Sequence, residues 1–176
     1  MVGSLSGYNL FIGWHIKKQL DYLQGILPPG FKHRQMDDLG CGDGRITLLL
    51  EAIFQPSSLR GFDVNPSMVR RARKRGVKAE VKNLNVEVPS GELAVIWGAL
   101  HHLNDMESRL DRIKQNYDLI FIREPLNNKG IRLLETGHPL RREELEPVLQ
   151  KCLPGARFFY YGDNILLFYT HGEHDN

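Results

Sequence analysis

The chain has 176 residues, of which 41% are hydrophobic and 25% charged, with 23 Lys and Arg against 21 Asp and Glu for a formal charge of +2. Such a length and composition fit one globular domain with a sizeable core, and exclude disordered, fibrous and disulfide-scaffold proteins. The near balance of charge leaves no overall basic footprint for nucleic acid, and Cys41 and Cys152 are too few for a zinc site, so no metal is expected. No apolar run approaches the ~18 residues of a membrane span, and no basic segment followed by an apolar one opens the chain. The expectation is therefore no membrane partner, no secretory signal and a cytoplasmic protein.

Residues 5–27 repeat Leu10, Phe11, Trp14, Ile16, Leu20, Leu23 and Leu27 at helical spacing, and Pro28-Pro29-Gly30 ends that helix. Beyond Met36, short apolar runs alternate with helical patterns. Strands are predicted at 35–39, 58–63, 77–83, 93–97 and 117–123, and helices at 44–54, 66–75, 104–115 and 141–152. The helix at 66–75 has Asn65 as N-cap, Pro66 at its first position and Gly76 just past its end. Pro147 implies a kink in the last helix. Alternation of this kind implies an α/β protein with a largely parallel sheet. Residues 156–161 and 164–170 are both strand-like, with only Gly162-Asp163 between them. Two residues cannot carry a parallel crossover, so these runs form an antiparallel hairpin and the sheet ends with one reversed strand. Residues 1–35 are expected to form a helical cap and residues 36–176 the core.

The main site signal is Asp38-Leu39-Gly40-Cys41-Gly42-Asp43-Gly44, between the first strand of the core and a helix. Glycines there allow a tight turn and let a ligand approach the backbone, and the helix N-terminus offers free N–H groups to phosphate or carboxylate. The spacing is Gly-x-Gly-x-Gly, whereas dinucleotide binders carry Gly-x-Gly-x-x-Gly, and Asp43 would repel a pyrophosphate. Asp63 follows at the end of the second strand of the core, where a carboxylate can accept both hydroxyls of a ribose. Together these residues point to a nucleoside ligand without a pyrophosphate.

In these residues the chain resembles the class I S-adenosylmethionine-dependent methyltransferases. The glycine motif is similar to the family's acidic-x-Gly-x-Gly-x-Gly signature. Gly61-Phe62-Asp63-Val64-Asn65-Pro66-Ser67-Met68 resembles its acidic strand end and capped helix. Residues 93–103, ending Leu100-His101-His102-Leu103, resemble its fourth strand, and the hairpin its reversed last strand. The resemblance covers roughly residues 36–170. It implies a single-domain, Rossmann-like, mostly parallel seven-stranded sheet with helices on both faces and an antiparallel C-terminal hairpin.

The resemblance also implies S-adenosyl-L-methionine as cofactor, with a role for each matching residue. Asp38 and the backbone of Gly40, Cys41, Gly42, Asp43 and Gly44 would face its methionine part, and Asp63 its ribose. Val64, Asn65 and Met68 would lie at the adenine, and the backbone of Trp97 and Gly98 near the amine or sulfonium. Where the family often has an acidic residue after the third strand, this chain reads Lys82-Asn83-Leu84, so the Asn83 carbonyl is the acceptor available to the adenine amine. No Asn-Pro-Pro-Tyr or Asp-Pro-Pro-Tyr follows the fourth strand, which disfavours amino methylation of nucleic-acid bases.

Methyl transfer from a sulfonium needs alignment and water exclusion, and a base only where the nucleophile must lose a proton early. His101 and His102, at the carboxyl edge of the sheet, are the catalytic candidates, and each could instead cap or pack. Tyr8, Phe11 and Trp14 could form a lid over the substrate or pack the helix on the sheet. The 124–140 segment is a second lid, with Glu124 as a substrate contact and His138 as a turn residue. Arg70, Arg71, Arg73, Lys74 and Arg75 form either a solvated face or an RNA- or phosphate-binding patch. Cys41 reads as a space-filler. The leading reading is a methyltransferase acting on a small molecule. The alternatives are an RNA methyltransferase using residues 70–75 and a non-catalytic cofactor-binding partner protein. A nicotinamide-dependent oxidoreductase is disfavoured by the glycine spacing, Asp43 and the reversed strand.

Overall fold

The computed structural model describes residues 4–127 and 140–172, with side chains from residue 13 onward. The helices are α1 (Ser4–Ile26), α2 (Arg45–Phe54), α3 (Pro66–Lys74), α4 (Met106–Asn116) and α5 (Arg142–Cys152). The strands are β1 (Gln35–Leu39), β2 (Ser58–Asp63), β3 (Lys78–Val81), β4 (Gly91–Trp97), β5 (Tyr117–Pro125), β6 (Arg157–Tyr161) and β7 (Asn164–Thr170). They form one 7-stranded sheet in the order β3-β2-β1-β4-β5-β7-β6. Pairing is parallel from β3 through β5, and β7 runs antiparallel to both β5 and β6. This is a Rossmann-like α/β architecture with both faces covered.

Period-two alternation explains the layers. Leu93, Val95, Leu119 and Phe121 pack with Leu20 and Leu23 of α1 and with Leu50 and Phe54 of α2 on one face. Ala94, Ile96, Ile120 and Ile122 face the other way, against Leu110 and Ile113 of α4 and Leu145 and Leu149 of α5. Val69 and Ala72 of α3 pack with Cys41, Val77 and Ala79 beside α2. The second half of α1 therefore lies on the sheet. Trp14, nearer its start, is 53% exposed, with the Lys18 ammonium 3.9 Å from its ring centre. Among the described residues no helix is long and apolar enough to cross a membrane.

Three expectations are adjusted. The hairpin is present, but its reversed strand β7 lies inside the sheet and β6 forms the edge. Residues 164–169 are buried on both faces and suit an interior position, whereas no residue of β6 is fully buried, as suits an edge strand. The third strand is shorter than 77–83, because Val77 is drawn off to donate its N–H to the Ala72 carbonyl at the end of α3. Pro147 lies within a helix that continues to Cys152, where buried Leu145, Leu149 and Cys152 hold both sides of the proline to the sheet.

Phe121 is fully buried, with ring centres of Phe168 at 5.0 Å, Phe54 at 5.5 Å and Trp97 at 6.4 Å. Truncating it leaves a cavity bounded by both α2 and β7. F121A is expected to lower unfolding free energy by about 3–5 kcal/mol, as read by urea denaturation. A loss below about 1 kcal/mol would mean that the face collapses around the gap.

Candidate active site

The strand order reverses between β1 and β4, and in open α/β sheets a cleft forms at the carboxyl ends of the strands at such a point. Here it holds about 550 Å³. Its walls come from Gly40 and Gly42 after β1, from Asp63, Val64, Asn65 and Met68 after β2, and from Lys82, Asn83, Leu84 and Asn85 after β3. Gly98, Ala99, His102 and Leu103, after β4, complete it.

The loop after β1 is held by β2. The Gly40 and Cys41 N–H groups donate to the Phe62 carbonyl at 2.8 and 3.0 Å, Gly42 N–H to Asp63 Oδ2 at 2.9 Å, and Gly44 N–H to the Cys41 carbonyl at 3.0 Å. Gly40 has φ +95°, and a Cβ there would overlap the Ala99 methyl. Gly44 has φ +81°, and its Cβ would meet Ala72 at 3.0 Å. These four loop amides are therefore engaged within the protein, and the N–H groups expected to meet an anion are those of the first turn of α2, where Arg45 N–H donates to Asp43 Oδ1 at 3.3 Å. The loop offers a ligand its shape and its carboxylates.

Asp63 accepts from Gly42 N–H and, through Oδ1, from Asn65 N–H at 2.8 Å, and it remains at the cleft surface. Asn65 caps α3 by accepting from Ser67 N–H at 2.9 Å. Asp38 lies beneath the loop at 2% exposure, where Oδ2 accepts from the Thr47 hydroxyl at 2.6 Å and Oδ1 has no partner. Burial, helped by the nearby Asp63 charge and opposed by the Thr47 hydrogen bond, pushes its carboxyl up to about 7. Burial first, then the Asp38 and Asp63 charges, pushes the Cys41 thiol far above its ordinary range, so it is an inert filler beside Gly61.

The side chains of other expected site residues have partners within the protein. Asp43 turns from the cleft to Arg45 Nε at 2.8 Å and Arg75 Nη2 at 3.2 Å. The Asn83 carbonyl accepts from Asn85 N–H at 3.0 Å, and Asn85 in turn accepts from Asn104 N–H at 2.7 Å. Trp97 is half-buried at the end of β4, with the Arg123 guanidinium 5.2 Å from its ring centre. His102 lines the cleft, whereas the His101 side chain is 2% exposed and pairs with Glu124. Glu124, expected as a substrate contact, is itself 1% exposed and is not among the residues that line the cleft. Tyr8 and Phe11 fall in α1, but their side chains lie outside the described residues, as does most of the 124–140 segment with His138.

Sequence reasoning missed Lys82, Asn85, Ala99 and Leu103 as lining groups, and Thr47 as the partner of Asp38. Only Thr47 left a readable signal, since it falls on the second turn of the helix that the glycine motif opens. In the basic run, Arg73 Nε donates to the Ala79 carbonyl at 2.6 Å and Arg75 holds Asp43, so two of the five cations tie α3 to its neighbours.

A Rossmann-like α/β protein with its cleft at the switch point is the class that this fold and site define. Residues 38–123 match a family model described as a methyltransferase domain. A trans-aconitate 2-methyltransferase of Methylobacterium nodulans is 41% identical over 128 residues, covering 68% of this chain and 47% of that protein. The same-named protein of Mycobacterium ulcerans is 34% identical over 70 residues, 39% of this chain and 27% of that one. The chain thus spans about half the length, or less, of the curated relatives it matches. Among solved structures, a chain of the complex between the Haloferax volcanii Trm112 methyltransferase activator and a methyltransferase superposes with TM-score 0.68 at 14% identity, over 90% of this chain and 89% of that one. Magnesium protoporphyrin IX methyltransferase from Synechocystis PCC 6803, with bound SAH, gives TM-score 0.64 at 11% identity, over 90% and 83%. The chain belongs to the class I S-adenosylmethionine-dependent methyltransferase family.

The Asp38 carboxyl gives a pH signature. Its folded-state value of about 7 exceeds the ~3.9 of an unfolded chain, so its contribution to stability is complete below pH ~3.9 and is lost as the pH rises through about 7. The D38N chain cannot ionise there. In ligand-free protein, its melting temperature is expected to gain on wild type by several degrees between pH 5 and pH 8. An unchanged difference across that range would show that Asp38 is not held neutral.

Proposed function

We propose that the chain transfers the methyl group of S-adenosylmethionine to a small-molecule acceptor. The observation that carries this reading is the pair of carboxyl groups at the glycine loop: Asp63 in the cleft wall, and Asp38 buried beneath the loop with one oxygen unpartnered, while the Gly40, Cys41, Gly42 and Gly44 amides are engaged within the protein. Such a pair disfavours a pyrophosphate and suits a ligand bearing cations and hydroxyl donors. The unpartnered Asp38 Oδ1 fits the ammonium of the cofactor, Asp63 its ribose hydroxyls, and Val64, Met68 and Leu84 the adenine plane. The backbone of Trp97 and Gly98 would border the amine and the sulfonium. The cofactor, when bound, supplies a methyl group on an electrophilic sulfonium. The chain's own part is to align the acceptor and exclude water.

For the acceptor, a small carboxylic acid is the first class to test, because the curated relatives are named trans-aconitate 2-methyltransferase. Arg123, 6% exposed, lies beside the Trp97 ring and near Gly98, and donates to Gln19. A carboxylate is already ionised at neutral pH and needs no base, whereas a hydroxyl or an amine gives up a proton. His102 is the imidazole positioned to take that proton. No observation favours the RNA reading, since α3 uses two of its cations internally and its others are solvated.

Calorimetry is expected to detect S-adenosylhomocysteine binding, weakened about tenfold to a hundredfold in D63N through loss of charge-assisted hydrogen bonds. Equal or tighter binding of NAD would overturn the assignment. Methyl-tritiated cofactor should label an acidic small-molecule fraction of a cell extract, and label removed by ribonuclease would select RNA. Once an acceptor is in hand, H102A separates the chemistries. It should lower kcat less than about tenfold for a carboxylate, and by about 10²–10⁴ where a proton must be removed.

A further inference from the structure

We infer that Glu124 is a positioning residue, which shapes the methyl-transfer end of the cleft by fixing the turn at Leu100–His102 from behind. The inference rests on the cofactor reading above. Glu124 Oε2 accepts from Leu100 N–H at 3.1 Å and Oε1 from His101 N–H at 3.2 Å. The same Oε1 pairs with His101 Nδ1. Both residues are buried, with side chains 2% exposed for His101 and 1% for Glu124.

The first N–H groups of a helical turn have no partner inside it. Ala99, at the N-cap position of this turn, provides no side-chain cap. Glu124 acts as that cap from the next strand, 24 residues away, and the negative charge suits the positive end of the turn. A buried carboxylate persists only where donors surround it, and this one has three from two consecutive residues.

The sheet itself does not need the charge. The β5–β7 ladder already pairs Glu124 with Ile165 through the backbone. What the carboxylate adds is the position of the turn, and the turn carries Ala99, His102 and Leu103 into the cleft wall. Ala99 abuts Gly40 where no Cβ fits, so a shift of the turn transmits directly to the glycine loop. The His101 ring lies 4.1 Å from the His102 ring and backs the imidazole that faces the cleft. One carboxylate thus fixes the wall's backbone and its histidine together.

The test compares wild type with E124Q, H101L and H101N, using S-adenosylhomocysteine as the probe and D63N as the reference for a lost direct contact. Gln keeps the volume of Glu124 but loses its charge and turns one acceptor into a donor facing a backbone N–H. The expected result is S-adenosylhomocysteine dissociating about tenfold or more faster from E124Q, with association little changed, because a loosened wall acts on release. The backbone amide NMR signals of Leu100 and His101 should shift upfield in E124Q as they lose the carboxylate. H101L should bind more weakly in the same way, and H101N, whose amide can still donate to Glu124, should recover most of the loss. If E124Q does not fold, the two His101 variants decide. Should wild type bind, D63N weaken, and E124Q or both His101 variants release the probe within twofold of wild type, the positioning role is overturned while the cofactor reading stands. A wild-type protein that does not bind the probe overturns that reading instead.

Discussion

At the switch point, two neighbouring loops meet without room for a methyl group. The chain leaves β1 toward α2 on one face of the sheet and leaves β4 toward α4 on the other, so the loops diverge and open a cleft between them. Where they part, Gly40 abuts Ala99 so closely that any Cβ at residue 40 would overlap it. The sheet thereby fixes the depth of the cleft, and the left-handed backbone of Gly40 turns the chain at that depth. The glycine loop after β1 and the start of the turn after β4 therefore share one contact, and a change in either is felt by the other.

Two adjacent aspartates on β1 show how the same residue type is put to opposite uses by the strand's alternation. Asp37 points to the face covered by α4 and α5. There it receives both Arg60 nitrogens, at 2.7 and 2.5 Å, and the Tyr117 hydroxyl at 2.8 Å. It ties β1, β2 and β5 together by charge-assisted hydrogen bonds, and the Tyr117 hydroxyl is pushed well above its ordinary range by burial and then by the Asp37 charge. Asp38 points to the α2 face, has one hydroxyl partner, and keeps an oxygen unpartnered. A fully paired buried carboxylate is a strut, whereas Asp38 keeps one oxygen that no described group satisfies.

Much of the fold was legible because it depends on local signals. The apolar periods set the strands and helices, Asn65 and Pro66 announced α3, and the two-residue link at Gly162-Asp163 forced the hairpin. Part of the cleft wall was legible for the same reason, since it comes from two short motifs at Gly40 and Asp63. What could not be read depends on pairs distant in sequence. Nothing local tells that Glu124 faces back toward Leu100, that Arg123 reaches Gln19 across 104 residues at 2.9 Å, or that Asp43 turns to Arg75. Nor could the hairpin itself say which of its strands would join β5. That choice follows from burial on both faces of β7, a property of the assembled layers.

The cleft is polarised along its length, and this bears on the direction of the chemistry. At the β1 and β2 end Asp63 stands in the wall and Asp38 lies buried beneath the glycine loop. At the β5 end a buried guanidinium, Arg123, lies beside the Trp97 ring and donates to Gln19, and Glu124 next to it pairs with His101. A cationic donor held by the acidic end and an anionic acceptor drawn to the basic end would approach each other with complementary charges. Their transfer neutralises both, so the charge separation the site must hold falls as the methyl moves. Donors and charges fixed in a partly dry cleft act more strongly than in water and need not reorganise during the step. For such a reaction an exact backbone wall would matter more than a strong base, and the buried Glu124, bound to two amides and the neighbouring His101 imidazole, is consistent with that demand.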